Sequence, residues 1–308
     1  QMNVLLIIFT RKKGQMKIKS IPSLLILLSC LSRFFSCYAA TTDYTAVTWN
    51  MQGASSSGID GSKWATTVKN IMTSTQRTER VEVLALQEAG GVPLGHITSI
   101  PELPEAPFAP TTRVGEGAMG ENIEQYWWHL GTLSRTNDVY IYHTHVAGRL
   151  NLAIVSRKAA EEIFVFEALE RRPVIGIRIN NDYFFNLHAG AHPYNEAALM
   201  INAIEMYMSC NVLPRIPSAT WMIMGDFNRE PFRGPDALYR SLIPVSGIEH
   251  RLINTNETTH TGGRELDYAL LGGGFGAAHN TGPAFFSIAT LTNHMSDHVG
   301  VRFAPPPP

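Results

Sequence analysis

The sequence predicts an α/β fold, a four-layer α/β/β/α sandwich in which two packed sheets lie between outer helices. Three observations point to it. Apolar runs of strand length recur along the chain, few segments carry helical periodicity, and the middle of the chain is a dense, hairpin-rich series of strands. In such a sandwich the polar residues that end buried strands gather along one edge.

Residues 45–49 read as the first strand, ending at Asn50. A Gly/Ser loop over 53–62 leads to a helix near 63–74, with Ser62 placed to cap it. Residues 81–86 form a second buried strand that ends at Gln87-Glu88. The stretch 90–124 is rich in Pro and Gly and reads as a long surface excursion. Strands follow near 125–133, 138–144, 150–156, 162–167, 173–179 and 182–188. Residues 195–209 are helical, because Ala197, Ile201, Ile204 and Met208 fall on one face. Later strands lie near 219–225, 266–271 and 299–303, and Gly272-Gly273-Gly274 reads as a flexible turn. It is not a phosphate loop, since no Lys-Ser/Thr follows.

The 308 residues are 44% hydrophobic and 17% charged, an ordinary globular composition. The net charge of -1 hides an asymmetry. Residues 1–39 hold six basic residues and no acid, leaving 19 basic against 26 acidic residues in the remainder. That balance excludes passive coating of nucleic acid, which needs a basic surface. It does not exclude an enzyme that holds a metal in a carboxylate cluster and reads one phosphate locally.

Residues 16–39 have the layout of a secretory signal: Lys17 and Lys19, an apolar run over 21–31, then small residues at Ala39-Ala40. The run falls well short of the roughly 20 residues that span a bilayer, so no stable membrane anchor is expected. Residues 1–15 read as an upstream extension, 40–304 as the catalytic domain and 305–308 as a proline tail. Cys30 and Cys37 leave with the signal, so Cys210 alone remains and no internal disulfide is expected.

Polar residues end several of the buried strands. The run Trp221-Met222-Ile223-Met224 delivers Asp226 and Asn228, and Ser296-Asp297-His298 stands just before another apolar strand. Asn50 and Glu88 occupy matching positions after the first two strands. Mg²⁺ takes one or two carboxylates plus waters and substrate phosphate, so Glu88 with Asn50 suits it. His188 ends the strand at 182–188. Its spacing to His192 resembles a zinc helix, but Ala189 stands where that motif needs Glu and Pro193 follows, so zinc is rejected there. Asp267 begins an apolar strand and needs a partner, for which a histidine is the obvious choice. Arg149 and Arg172 stand at strand starts, where a pair of guanidinium forks could grip phosphate oxygens. His143 and His145 end an aromatic strand and receive no role. Together the strand-end groups suit metal-assisted phosphodiester hydrolysis.

The blocks Trp49-Asn50-Met51-Gln52-Gly53, Leu86-Gln87-Glu88-Ala89-Gly90, Gly148-Arg149-Leu150-Asn151-Leu152-Ala153, Arg172-Pro173-Val174-Ile175, Gly225-Asp226-Phe227-Asn228-Arg229, Leu266-Asp267-Tyr268 and Ser296-Asp297-His298 stand in an order that resembles the catalytic B subunits of cytolethal distending toxins, typhoid-toxin form included. Those proteins belong to the DNase I-like endonuclease/exonuclease/phosphatase superfamily. The resemblance runs from about residue 43 to residue 303. It implies a DNase I-like sandwich and a secreted genotoxin subunit that nicks DNA with Mg²⁺, acting in the target-cell nucleus beside delivery or toxin-complex subunits that the sequence does not identify. By the same resemblance Glu88 and Asn50 hold the metal with support from Asp297. Asp226 and Asn228 position water and phosphate, His298 oriented by Asp267 is the general base, and His188 donates to the phosphate. Arg149 and Arg172 match phosphate-contacting arginines, and Asp138 offers a partner for His188. A phosphatase acting on inositol phospholipids would use the same centre and stays open as the alternative. A non-catalytic binding module would not need every one of these positions filled.

Overall fold

Nearly every central strand is apolar on both faces, and the layering explains why. The computed structural model describes residues 40–53, 63–74, 80–92, 98–99, 109–115, 123–131, 137–146, 150–167, 172–191, 195–274, 287–291 and 296–305. The signal expected at 16–39, the Ser62 cap and Arg149 lie outside the described residues.

One sheet is built from β1 (Ala46–Asn50), β2 (Val83–Gln87), β3 (Thr98–Ser99), β5 (Ile123–His129), β6 (Asp138–Thr144), β7 (Leu152–Ser156), β14 (Ser287–Leu291) and β15 (Gly300–Ala304). Its order is β14-β15-β1-β2-β7-β6-β5-β3. The other is built from β4 (Thr111–Val114), β8 (Glu162–Phe166), β9 (Val174–Ile179), β10 (Asp182–His188), β11 (Thr220–Asp226), β12 (Ile248–Ile253) and β13 (Asp267–Gly274). Its order is β12-β13-β11-β10-β9-β8-β4.

Alternate residues of each strand serve two different cores. Ala46, Val83, Ala85, Phe184, Met222, Met224 and Ala269 meet between the sheets. Tyr183, Phe185, Trp221 and Ile223 face outward against α2 (Glu196–Tyr207), which contributes Ala197, Ile201 and Ile204. Val47, Trp49, Leu84 and Leu86 face the opposite way, against Trp64, Val68 and Met72. Those last three come from α1 (Lys69–Thr73) and the wide π-type turn Lys63–Val68 that leads into it. Two sheets with a helix on each outer face make the four layers expected. Full burial of one such aliphatic or aromatic side chain is worth about 1.5–3 kcal/mol, so the three cores hold the domain together without a disulfide. Cys210 is a free, exposed thiol.

Three expectations are corrected. The excursion at 90–124 is not all loop, since Thr98–Ser99 and Thr111–Val114 extend the two sheets at their edges. Gly272 to Gly274 is not a flexible turn but the end of β13. A Cβ on Gly272 would lie 2.1 Å from Trp221 Nε1, so glycine is required for the indole to lie across the strand. Strands β12 and β14 were not anticipated. β12 is an edge strand with mostly part-exposed side chains and an exposed Arg251, and carries no strong apolar signal.

Strand direction fixes where the polar ends go. β1 and β2 are parallel, with Asn50 opposite Gln87. β10 and β11 are parallel, with His188 opposite Asp226. β13 runs antiparallel to β11 and places its first residue, Asp267, opposite Asp226. The sheets are tied near this edge by Asn186, whose amide donates to the carbonyls of Leu86 (2.8 Å) and Ala153 (2.9 Å). Gln87 Nε2 donates in return to Asn186 Oδ1 at 2.6 Å. Both side chains are buried and hydrogen-bonded, as buried amides must be.

Candidate active site

The site is the polar end of the core between the sheets. His188, Asp226 and Asp267 continue the inward-facing positions of Phe184, Met222, Met224 and Ala269, displaced by an even number of residues along each strand. Asp226 is central. Its Oδ2 accepts from Asn50 Nδ2 at 3.0 Å and lies 3.6 Å from both His188 Nε2 and His298 Nε2. Its Oδ1 accepts from the Asn228 amide at 2.8 Å. The strand reaches this close packing because Gly225 precedes Asp226: a Cβ there would lie 1.9 Å from the Leu187 carbonyl oxygen.

His298 is anchored from behind. Its Nδ1 lies 2.8 Å from Asp267 Oδ2, and a bridge between His260 and His298 holds the loop in place. Asp267 in turn has its amide on Thr259 Oγ1 at 3.0 Å. With Nδ1 committed to the carboxylate, Nε2 faces the site. Burial is the largest influence on His298 and works against a charged ring, but the hydrogen bond and charge of Asp267, with Asp226 and Asp297, outweigh it and lift the pKa to about 9. Burial also raises Asp226 and Asp267.

Asp297 lies at the rim. Its Oδ1 is 3.9 Å from His298 Nε2 and its Oδ2 is 3.6 Å from His260 Nε2. Glu88 reaches the same region, with Oε1 3.9 Å from His188 Nε2. Glu88 (φ 47°), Gln52 (φ 52°) and Asn228 (φ 52°) are three of five non-glycine residues with positive φ among those described. Such conformations cluster where side chains are aimed at a purpose. Asn228 Nδ2 and Arg172 Nη1 both donate to the carbonyl of Ala189, each at 2.8 Å, which sets a guanidinium beside the residue following His188.

Of the residues singled out from sequence, Asn50, Glu88, Arg172, His188, Asp226, Asn228, Asp267, Asp297 and His298 therefore stand in one neighbourhood. Asp138 does not. Its carboxylate is hydrogen-bonded to His129 Nδ1 at the start of β6. The register Tyr140–Ser156 and Ser156–Val83 sets that end of β6 beside the start of β2, whereas Glu88 follows its end. Among the described residues, Asp226 and Glu88 are acids that face His188. One neighbour was missed: His260, on a loop, whose only sequence signal is the Thr258-Thr259-His260-Thr261 polar run. Its approach to His298, ring centroids 4.7 Å apart, is a tertiary event.

A cleft of about 280 Å³ opens beside Asn228 and is lined by Arg229, Arg233 and Arg264 together with Glu230 and Asp236. An imidazole held by a buried acid, a second histidine, an amide-clamped carboxylate and rim acids together form the machinery of a phosphodiester hydrolase.

Comparison with known proteins agrees. Residues 47–298 match the endonuclease/exonuclease/phosphatase family. The chain is 34% identical over 295 residues to the B subunit of the cytolethal distending toxin of Escherichia coli, covering 92% of this chain and 97% of the relative. It is likewise 34% identical over 294 residues to the homolog of that toxin component in Salmonella typhi, with the same coverage. The solved structure of the biologically active subunit of a cytolethal distending toxin superposes with a TM-score of 0.71 at 32% identity, covering 86% of this chain and 98% of that one. The Haemophilus ducreyi toxin structure gives a TM-score of 0.65, again at 32% identity, with the same shares covered. The chain belongs to the endonuclease/exonuclease/phosphatase family and, within it, to the B subunits of cytolethal distending toxins.

Proposed function

We propose that the chain is the catalytic subunit of a secreted genotoxin, a Mg²⁺-dependent endonuclease that nicks DNA in the nucleus of a target cell. The observation that carries the reading is the Asp226 carboxylate standing 3.6 Å from two histidine Nε2 atoms, one of them backed by Asp267. Relatives that are toxin subunits support it. Delivery subunits are part of the proposal, and their identity is left to the chemistry of whatever assembles with this chain.

The donor set fits a hard divalent ion. Asp297 Oδ1 is buried without a hydrogen-bond partner, and Glu88 and Asn50 add oxygens at the same edge. Glu88, Asn50 and Asp297 would hold it. A divalent ion held there would supply Lewis-acid polarisation of the scissile phosphate and positive charge against the acidic field that lifts His298 to about 9. His298 Nε2 takes the proton of the attacking water, oriented through Nδ1 by Asp267. Asp226, fixed by Asn50 and the Asn228 amide, orders that water. His188 Nε2 donates to a phosphate oxygen as charge builds, and Asn228 with Arg172 binds phosphate.

The arginine-lined cleft beside Asn228 favours an extended polyanion over a single inositol phospholipid head group, because it continues the site away from the reacting centre. Incubating the exported chain with supercoiled plasmid, with and without Mg²⁺, tests the proposal. Conversion to open circles only with Mg²⁺ is the expected result. Phosphate release from an inositol phospholipid without nicking would put the phosphatase reading first.

A further inference from the structure

Glu124, His143 and His145 form a second polar cluster, on the β5–β6 strand pair. Glu124 and His143 are directly opposite in register, and His145 follows two residues beyond. Both rings converge on one carboxylate oxygen: Glu124 Oε2 is 3.3 Å from His143 Nδ1 and 3.3 Å from His145 Nε2. We propose that these three side chains bind a divalent transition-metal ion of the zinc class, at a site separate from the catalytic edge.

The distances carry the first part of the argument. Two ligands of a tetrahedral ion, each bonded at about 2.0–2.1 Å, stand ~3.3 Å apart. Both edges that meet at Glu124 Oε2 have that length, and all three ligand atoms lie within 4.8 Å of one another.

Proton placement carries the second. His143 Nε2 lies 2.9 Å from the carbonyl oxygen of Gly90, which only accepts, so Nε2 bears the hydrogen. That tautomer leaves Nδ1 as the metal-competent lone pair of the ring, 3.3 Å from a carboxylate oxygen, where one cation can bond to both.

The surroundings are those of a metal site. A ligating histidine hands its other N–H to a carbonyl, here Gly90, and a ligating carboxylate takes a further hydrogen bond, here from the Tyr126 hydroxyl. His143 is fully buried while His145 is open to water, which gives the ion a way in and a water as fourth ligand. Two imidazoles with one carboxylate select zinc-class ions over Mg²⁺ or Ca²⁺, which prefer all-oxygen shells. Gly90 lies two residues from Glu88, so the ion braces the turn that carries a catalytic acid.

The test titrates the exported chain with Zn²⁺ in millimolar Mg²⁺ and counts bound zinc by mass spectrometry of dialysed protein. His145→Ala alters an exposed side chain and is compared with His260→Ala, which alters a His/Asp cluster at the catalytic edge. The expected result is one zinc per chain that His260→Ala keeps and that His145→Ala and Glu124→Gln each weaken by more than about tenfold. The Co²⁺ derivative of the same site is expected to give the intense visible bands of a tetrahedral ion. Zinc binding of unchanged stoichiometry and affinity in His145→Ala would overturn the assignment, and so would a parent chain that binds none.

Discussion

His188 and Asp226 are directly paired neighbours on the parallel strands β10 and β11, and the His188 Nε2 stands 3.6 Å from the Asp226 carboxylate. That separation is too long for a hydrogen bond and right for a shared phosphate oxygen or water. This pair is thus placed by sheet register and not by loop conformation, which gives it a rigid support.

His188→Gln is expected to lower plasmid nicking by about 10²–10⁴-fold, the range of general acid–base contributions, with the thermal melt unchanged. Asp297→Ala is expected to fall in the same range. Near-parental nicking by His188→Gln would remove this histidine from the mechanism.

Asp267→Asn tests the hydrogen bond behind His298. Asp267 is fully buried and 2.8 Å from His298 Nδ1, and Asn keeps its shape. Nicking is expected to fall by about 10²–10⁴-fold, because Asn can present its amide to Nδ1 and select the wrong tautomer. The His298 midpoint, lifted to about 9 in the parent chain, is expected to move down when followed by NMR without metal. An unmoved midpoint would show that Asp267 does not set the charge of the ring.

Most of this edge was legible in the sequence, and the reason is geometric. Asn50, His188, Asp226 and Asp267 each interrupt an apolar run at its end, where period-two alternation assigns them a face. Glu88 and Asn228 escape that logic: each follows its strand with a positive φ, and that turn, not alternation within the strand, brings it to the edge. His260 and the true partner of Asp138 were not legible, because both depend on register between distant segments. The triple glycine read as a turn because nothing local reveals Trp221 lying over Gly272.

Glu88→Ala is expected to lose most nicking at low Mg²⁺ and to recover part of it as Mg²⁺ is raised, since Asn50 and Asp297 remain. Activity that is lost equally at every Mg²⁺ concentration would place Glu88 outside the metal shell.

Asp182, at the far end of β10 from His188, gives a stability prediction. Burial is the main cause that raises its pKa to about 6, with Thr220 Oγ1 donating to one oxygen at 2.8 Å and pulling it back down. A carboxyl raised in the native state costs nothing below about 4, where both states are protonated, and costs stability once the unfolded state ionises ahead of the native one. Stability is therefore lost as pH rises from about 4 to about 6, and the penalty of about 2–3 kcal/mol is constant above that. Asp182→Asn removes the titration, so its melting temperature is expected to match the parent near the low end and exceed it at neutral pH. A difference that does not change with pH would refute the raised carboxyl.

The last prediction separates a nuclease from a head-group phosphatase. Arg172 shares the Ala189 carbonyl with Asn228, and Arg233 and Arg264 line the cleft that leads away from Asn228. DNA supplies phosphates on both sides of the bond that is cut, whereas a lipid head group supplies none at the distance of the cleft. Replacing Arg149 and Arg172 with Ala, and separately Arg233 and Arg264, is expected to weaken DNA binding. Each lost phosphate contact flattens the dependence of log K on log salt by about one unit. Hydrolysis of a soluble phosphodiester too small to reach the cleft is expected to survive in the Arg233/Arg264 pair, because neither residue contacts the reacting phosphate. If both double variants nick DNA normally across a salt series while phosphate release from an inositol phospholipid collapses, these arginines serve a lipid substrate and the phosphatase reading takes precedence.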